Sequence, residues 1–193
     1  MVETAARRAP RIHTVEWLEA APPALRFAFY GDREARAAAA PVWGTEFSEA
    51  ACRAATNESR ATLWLGPDEY LLLDFAAGAA AAGGGPPAES AIFRALEGAL
   101  GALPHALVDV SHRQFALEVR GPHAARILNG ACPLDLDLPA FPVGMCTRTV
   151  LAKAEIVLWR TRESAFHLEA WRSFSGYVTG VLGEIASEFY PPR

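Results

Sequence analysis

Two stretches of the chain repeat one pattern, and that repetition limits the fold more than any other feature. LRFAFYGDREARAAAAPVWGTEF (residues 25–47) and QFALEVRGPHAARILNGACPLDL (residues 114–136) both run from a strand-type segment through a glycine turn into a helix-type segment. Each copy then continues in the same way. Residues 61–75 form a strand pair followed, across a glycine-rich stretch, by the helix SAIFRALEGAL, and residues 153–170 form a strand pair followed by SFSGYVTGVLGEIASEF. A strand, a helix, a hairpin and a closing helix, taken twice, predict an α+β protein of two pseudo-symmetric antiparallel β units with packed helices.

The individual elements follow from periodicity. Strands are expected over residues 27–30, 61–65, 70–75, 107–110, 115–120, 153–160 and 165–170, and helices over 32–40, 90–100, 122–129 and 173–189. The last helix is the clearest, because Phe174, Tyr177, Val178, Val181, Leu182 and Ile185 recur at helical spacing behind Ser173 as N-cap. Residues 1–24 read as a charged, proline-bearing tail, and AAGAAAAGGGPPA (76–88) as a low-complexity loop inserted in the first copy. The halves therefore span 25–104 and 105–190 within one compact domain, and the final PPR is a stop.

The bulk properties exclude several classes. With 193 residues and 51% hydrophobic content the chain can bury a substantial core. Eighteen basic against 22 acidic residues give a net charge of −4, which offers a nucleic-acid backbone no broad basic field. No run approaches the roughly 20 apolar residues of a membrane span, and MVETAARRAPRIHTVEWLEAAPPALRF has no signal-type apolar core, so a cytoplasmic protein is expected. Three cysteines (Cys52, Cys132, Cys146) at irregular spacing fit reduced thiols.

Motifs for chemistry are sparse. Gly78 and Gly83 are followed by Gly84 and Gly85 where a phosphate loop needs Lys and Ser or Thr. The adjacent carboxylates Asp68 and Glu69 sit in GPDE between two apolar runs, which reads as a hairpin turn rather than an acid/base pair. The histidines His13, His105, His112, His123 and His167 have no HExxH or zinc-type spacing. No serine lies in a GxSxG elbow, and Cys132 or Cys146 as nucleophile would need a histidine base that spacing does not place. ACPLDLDLPAFPVGMC (131–146) is the most distinctive segment. Pro133, Pro139 and Pro142 stiffen it, and Leu134, Leu136, Leu138, Phe141 and Val143 either enter the core or meet another protein.

The order VDVSHR, GP, CPLDL, AFPVG, LAKAEIVLWR and RSF, with WLGPDEYLLL upstream and WRSFSGYVTGVLGEI downstream, resembles the γ subunit family of heterotetrameric sarcosine oxidase over about residues 57–189. The resemblance implies a fold like the folate-binding domain of the glycine-cleavage aminomethyltransferase. It implies a complex that oxidatively demethylates sarcosine to glycine and passes the one-carbon unit to tetrahydrofolate. In such a complex FAD, FMN, NAD, tetrahydrofolate and zinc belong to the alpha, beta and delta subunits, and this chain holds no cofactor or catalytic group. The expected docking surface comprises Arg113, Cys132, Pro133, Leu134, Phe141, Pro142, Arg172, Ser173 and Phe174, with Phe141 as anchor. The competing reading is a free-standing module of the same fold that binds folate or another small ligand.

Overall fold

The computed structural model describes residues 15–82 and 91–190. Alternating apolar residues produce ten strands among them, in two five-stranded antiparallel sheets. The first sheet has the order β3 (Ala54–Thr56), β4 (Arg60–Gly66), β5 (Glu69–Asp74), β2 (Leu25–Gly31), β6 (His105–Asp109). The second has the order β8 (Cys146–Leu151), β9 (Ala154–Arg162), β10 (Ala165–Trp171), β7 (Gln114–Arg120), β1 (Leu18–Ala20). Written this way the sheets correspond strand for strand, which is the repeat seen in the sequence.

The outermost strands are exchanged. β1 precedes the first unit but pairs with β7 of the second, with Leu18 opposite Val119, while β6 precedes the second unit and pairs with β2 of the first, with Phe29 opposite Leu107. The division at 104/105 therefore does not separate the halves in space.

Period-two alternation gives each sheet two buried faces. Phe27, Phe29, Tyr70 and Leu72 point towards helices α1 (Arg33–Trp43) and α3 (Ala91–Leu100), where Ala35, Ala39, Trp43, Leu96 and Leu100 complete the layer. On the second sheet Leu117, Val119, Ile156, Leu158, Phe166 and Leu168 pack under α4 (Ala124–Asn129) and α5 (Ser175–Ala186). Between the sheets lie Ala61, Leu63, Leu71, Leu73, Cys146 and Val157. The order helices, sheet, sheet, helices results. At one edge the sheets are tied by a bridge between Arg53 and Met145, flanked by Cys146 N to Cys52 O at 3.0 Å and Ala54 N to Gly144 O at 2.9 Å.

Local chemistry sets the helix ends. Asp32 caps α1 by accepting from the Glu34 and Ala35 amides, both at 3.0 Å, and Gly44 closes it at φ +87. The helix accommodates Pro41 and extends past the expected end to Trp43.

Several sequence expectations are corrected. Residues 17–24 are not tail: Trp17 and Leu18 are buried in the second core and β1 is a sheet edge. The first part of the low-complexity stretch is helix α2 (Phe75–Ala82), not loop. There Gly78 passes so close to the chain at Ala24 that a Cβ would lie 2.2 Å from its Cα. The rest of that stretch, residues 83–88, lies outside the described residues, as do 1–14 and 191–193. Ser173 does not cap the last helix. A 3-10 turn (Arg172–Phe174) comes first, and α5 runs from Ser175 only to Ala186. Among the described residues no helix is long and apolar enough to cross a membrane.

Candidate functional site

Residues 131–145 form no helix or strand, yet they are fixed from below by Arg160. This residue follows Ile156 and Leu158 on the inward face of β9, so its guanidinium is buried. Nη1 donates to the carbonyls of Leu136 at 3.1 Å and Phe141 at 2.5 Å, while Nε and Nη2 donate to Glu163 O at 3.2 and 2.9 Å. The cation also lies 4.6 Å from the Phe166 ring. Burial pushes its pKa below the ordinary guanidinium value, and the nearby Asp137 and Glu163 oppose that.

The clasp sorts the segment into an inside and an outside. Leu136 and Phe141 enter the core, Phe141 at 1% exposure beside Phe166, so Phe141 is a core side chain of this chain and not a surface anchor. Cys132 is buried as well, its Sγ 3.9 Å from Thr149 Oγ1. Leu134 packs partly against the core and its carbonyl accepts from Asn129, while Pro142 is half-buried. Leu138 at 41% and Val143 at 46% exposure face outward. Of the apolar residues singled out in the sequence, Leu136 and Phe141 enter the core, whereas Leu138 and Val143 stay exposed.

Beside this segment runs an open groove of about 700 Å³, lined by Cys132, Pro133, Val150, Ala152, Val181 and Ile185, with Glu184 as its charged member. The surface continues past Lys153, whose amide meets Tyr177 Oη at 3.3 Å, to Phe174 packed 6.3 Å from Tyr177. Elsewhere Arg113 lies 5.5 Å over the ring of Trp171 and its carbonyl accepts from Arg172 N at 2.9 Å. Arg113 and Ser173 are exposed, Arg172 and Phe174 half-buried, and Arg172 Nε has no hydrogen-bond partner among the described residues. Trp171 is also exposed, at 45%, and was not among the sequence-predicted interface residues.

A second polar constellation lies between the sheets. Arg26 Nε meets Glu169 Oε2 at 2.6 Å, and His167 Nε2 meets Glu169 Oε1 at 2.7 Å, all three side chains buried. Arg26 also donates to Ala24 O at 2.8 Å, and its amide donates to Ser111 Oγ at 2.9 Å. Burial alone would raise the Glu169 pKa, but Arg26 and His167 hold it below the ordinary carboxylate value, so it is ionised. The set is enclosed and joins one sheet to the other. A cation in AEIVLWR and the pair His167 and Glu169 inside the apolar run AFHLEA were the available signals for both constellations, since a polar residue on a buried strand face must have partners.

The remaining chemical candidates resolve into structural roles. Asp68 takes the left-handed conformation of a tight hairpin at φ +61 and pairs with Arg36, whereas Glu69 pairs with Arg148 at 2.5 Å. The neighbouring carboxylates thus serve two different arginines, as a turn reading requires. Burial pushes the Cys146 thiol up to about 12, which keeps it protonated at neutral pH. His105 bonds Leu103 O at 2.8 Å, His123 stacks on Phe189 at 5.1 Å, and His13 lies outside the described residues. Among the described residues no group of three or more His, Cys, Asp or Glu side chains is arranged to hold a metal ion.

Paired sheets with helices on both outer faces define an aminomethyltransferase-type α+β chain. The glycine cleavage system aminomethyltransferase T from Bartonella henselae shares this fold, with a TM-score of 0.58 at 14% identity over 86% of this chain and 44% of that one. The chain belongs to the sarcosine oxidase, gamma subunit family, whose model matches residues 30–188. It is similar to sarcosine oxidase subunit gamma of Corynebacterium sp. (strain P-1), 34% identical over 136 residues, 70% of this chain and 61% of the relative. The Arthrobacter sp subunit gamma is 34% identical over 139 residues, 72% of this chain and 63% of the relative. The alignments thus span about three-fifths of the length of these relatives. Among solved structures, a chain of the heterotetrameric sarcosine oxidase from Corynebacterium sp. U-96 in complex with pyrrole 2-carboxylate matches at TM-score 0.79 and 29% identity, over 91% of this chain and 86% of that one.

Proposed function

We propose that the chain is a non-catalytic, assembly-forming subunit of a heterotetrameric sarcosine oxidase that works in the cytoplasm. The complex demethylates sarcosine oxidatively to glycine and passes the one-carbon unit to tetrahydrofolate. FAD, FMN, NAD and zinc reside in the alpha, beta and delta partners, which supply the reacting groups. The observation that carries this reading is the exposure of the large apolar side chains Leu138, Val143, Val150, Trp171 and Tyr177, together with an open, mostly apolar groove and a neighbouring segment whose backbone at Leu136 and Phe141 is clasped by Arg160. Such a surface loses little conformational freedom on docking, and aromatic and arginine side chains supply much of the energy at interface centres. Pro133, Leu134, Pro142, Arg172, Ser173 and Phe174 belong to it, with Cys132 and Phe141 supporting it from beneath.

The arrangement gives less support to a free-standing folate module. The groove is mostly apolar, and its charged lining residue, Glu184, would repel the carboxylate tail of a folate. Purification from the native source with identification of co-purifying chains is the test. Stoichiometric recovery with larger, flavin-bearing chains is expected. Recovery as a lone protein that binds tetrahydrofolate by calorimetry would overturn the reading.

A further inference from the structure

Two of the three cysteines lie on adjacent backbone where the sheets are tied at one edge. The bridge of Arg53 with Met145 is antiparallel, so the flanking residues Cys52 and Cys146 stand opposite one another, and the Cys146 amide donates to the Cys52 carbonyl at 3.0 Å. That one amide-to-carbonyl bond holds the two backbones close together, and a disulfide spans Cα atoms about 4.4–6.8 Å apart. Cys52 has φ +58, a conformation that crowds any residue with a Cβ. It is partly exposed, whereas Cys146 is fully buried, its Sγ 3.5 Å from the Trp64 carbonyl oxygen. Cys132 stands apart, with Thr149 as its neighbour.

We propose that Cys52 and Cys146 form a modification site that a peroxide closes into a disulfide, stapling the chain entering β3 to the start of β8. The accessible Cys52 reacts first. Its sulfur attacks one peroxide oxygen, the O–O bond breaks, water leaves, and Cys52 becomes a sulfenic acid. The Cys146 sulfur then attacks the Cys52 sulfur, the S–O bond breaks, and a second water leaves carrying the Cys146 proton. Two thiols lose two electrons and two protons, and one hydrogen peroxide becomes two waters. Because Cys146 must shed its proton to attack, closure quickens as pH rises. The site needs only a folded chain and a peroxide, and so stands independently of the assembly role.

The test treats the folded chain with hydrogen peroxide, blocks remaining thiols in acid, and maps peptides without reduction. Denatured thiols should fall from three to one, with a peptide pair joined through Cys52 and Cys146 and lighter by two hydrogens. Cys132→Ser should still close, while Cys52→Ser and Cys146→Ser should form no internal disulfide. Added oxygen on Cys52 with Cys146 left free, pairing through Cys132, or three unchanged thiols would each overturn the proposal, and the peptide map of the wild-type chain distinguishes all three from closure.

Discussion

Arg26 on β2 and Glu169 on β10 meet at 2.6 Å in the space between the two sheets, each belonging to a different half of the pseudo-symmetric fold. Both are buried, so the pair is costly to break from one side. Arg26→Met should destabilise the chain by about 3–5 kcal/mol, read from denaturant unfolding, because it strands a buried carboxylate. The Glu169 pKa is lowered in the fold, so its contribution is present above the unfolded value of about 4.3 and is lost as pH falls through the folded value. Wild-type stability should therefore drop in acid more steeply than that of Glu169→Gln. Equal acid slopes would show that this carboxylate does not set the acid limit.

Arg160→Lys should loosen residues 136–141 while leaving the sheets intact. An ammonium cannot reach the three carbonyls that the guanidinium serves, and each one left unpaired in the interior costs about 1–3 kcal/mol. Hydrogen exchange should quicken at the Ala140 and Phe141 amides, which both bond Asp137 O. Unaltered protection there would mean that the prolines alone hold the segment.

Core and surface members of the same segment should part company on mutation. Phe141→Ala should lower stability by about 3–5 kcal/mol, as removal of a buried ring does. Leu138→Ser and Trp171→Ala, both at exposed positions, should leave the melting temperature nearly unchanged and weaken subunit association about tenfold. Surface variants that assemble normally would place the docking face elsewhere.

Gly78→Ala should be poorly tolerated despite its alanine-rich setting. The added carbon would meet main-chain atoms of Ala24 and Pro23 at 2.2–2.5 Å, and backbone cannot swing aside as a side chain can. A large loss of soluble folded protein is expected, compared with a near-neutral Gly98→Ala, where nothing lies within 4 Å.

The paired units were readable because alternation within strands such as LRFAFYG and AFHLEAW survives in both copies, and the hairpin at Asp68 announced itself through its turn residues. β1, β3 and β8 were not legible. Two of them are three-residue strands, and all three are sheet edges whose partners lie far away in sequence or on one side only. The clasp of Arg160 was hidden for a different reason: its acceptors are main-chain carbonyls, which carry no residue identity. Phe141 and Leu138 look alike in a proline-rich run, and only the direction each takes from the clasped backbone decides which is inside.

The exchanged edge strands bear on how the protein is made. A ribosome delivers the chain from its N-terminus, and the sheet built on β2 has its full set of strands once β6 has emerged. β1 comes out first, yet its partner β7 comes only after that sheet is complete, so Trp17 and Leu18 wait without their core throughout. Folding of the second sheet thus waits until β7 to β10 have emerged, and Trp17 and Leu18 are the buried residues of that core in longest need of a chaperone.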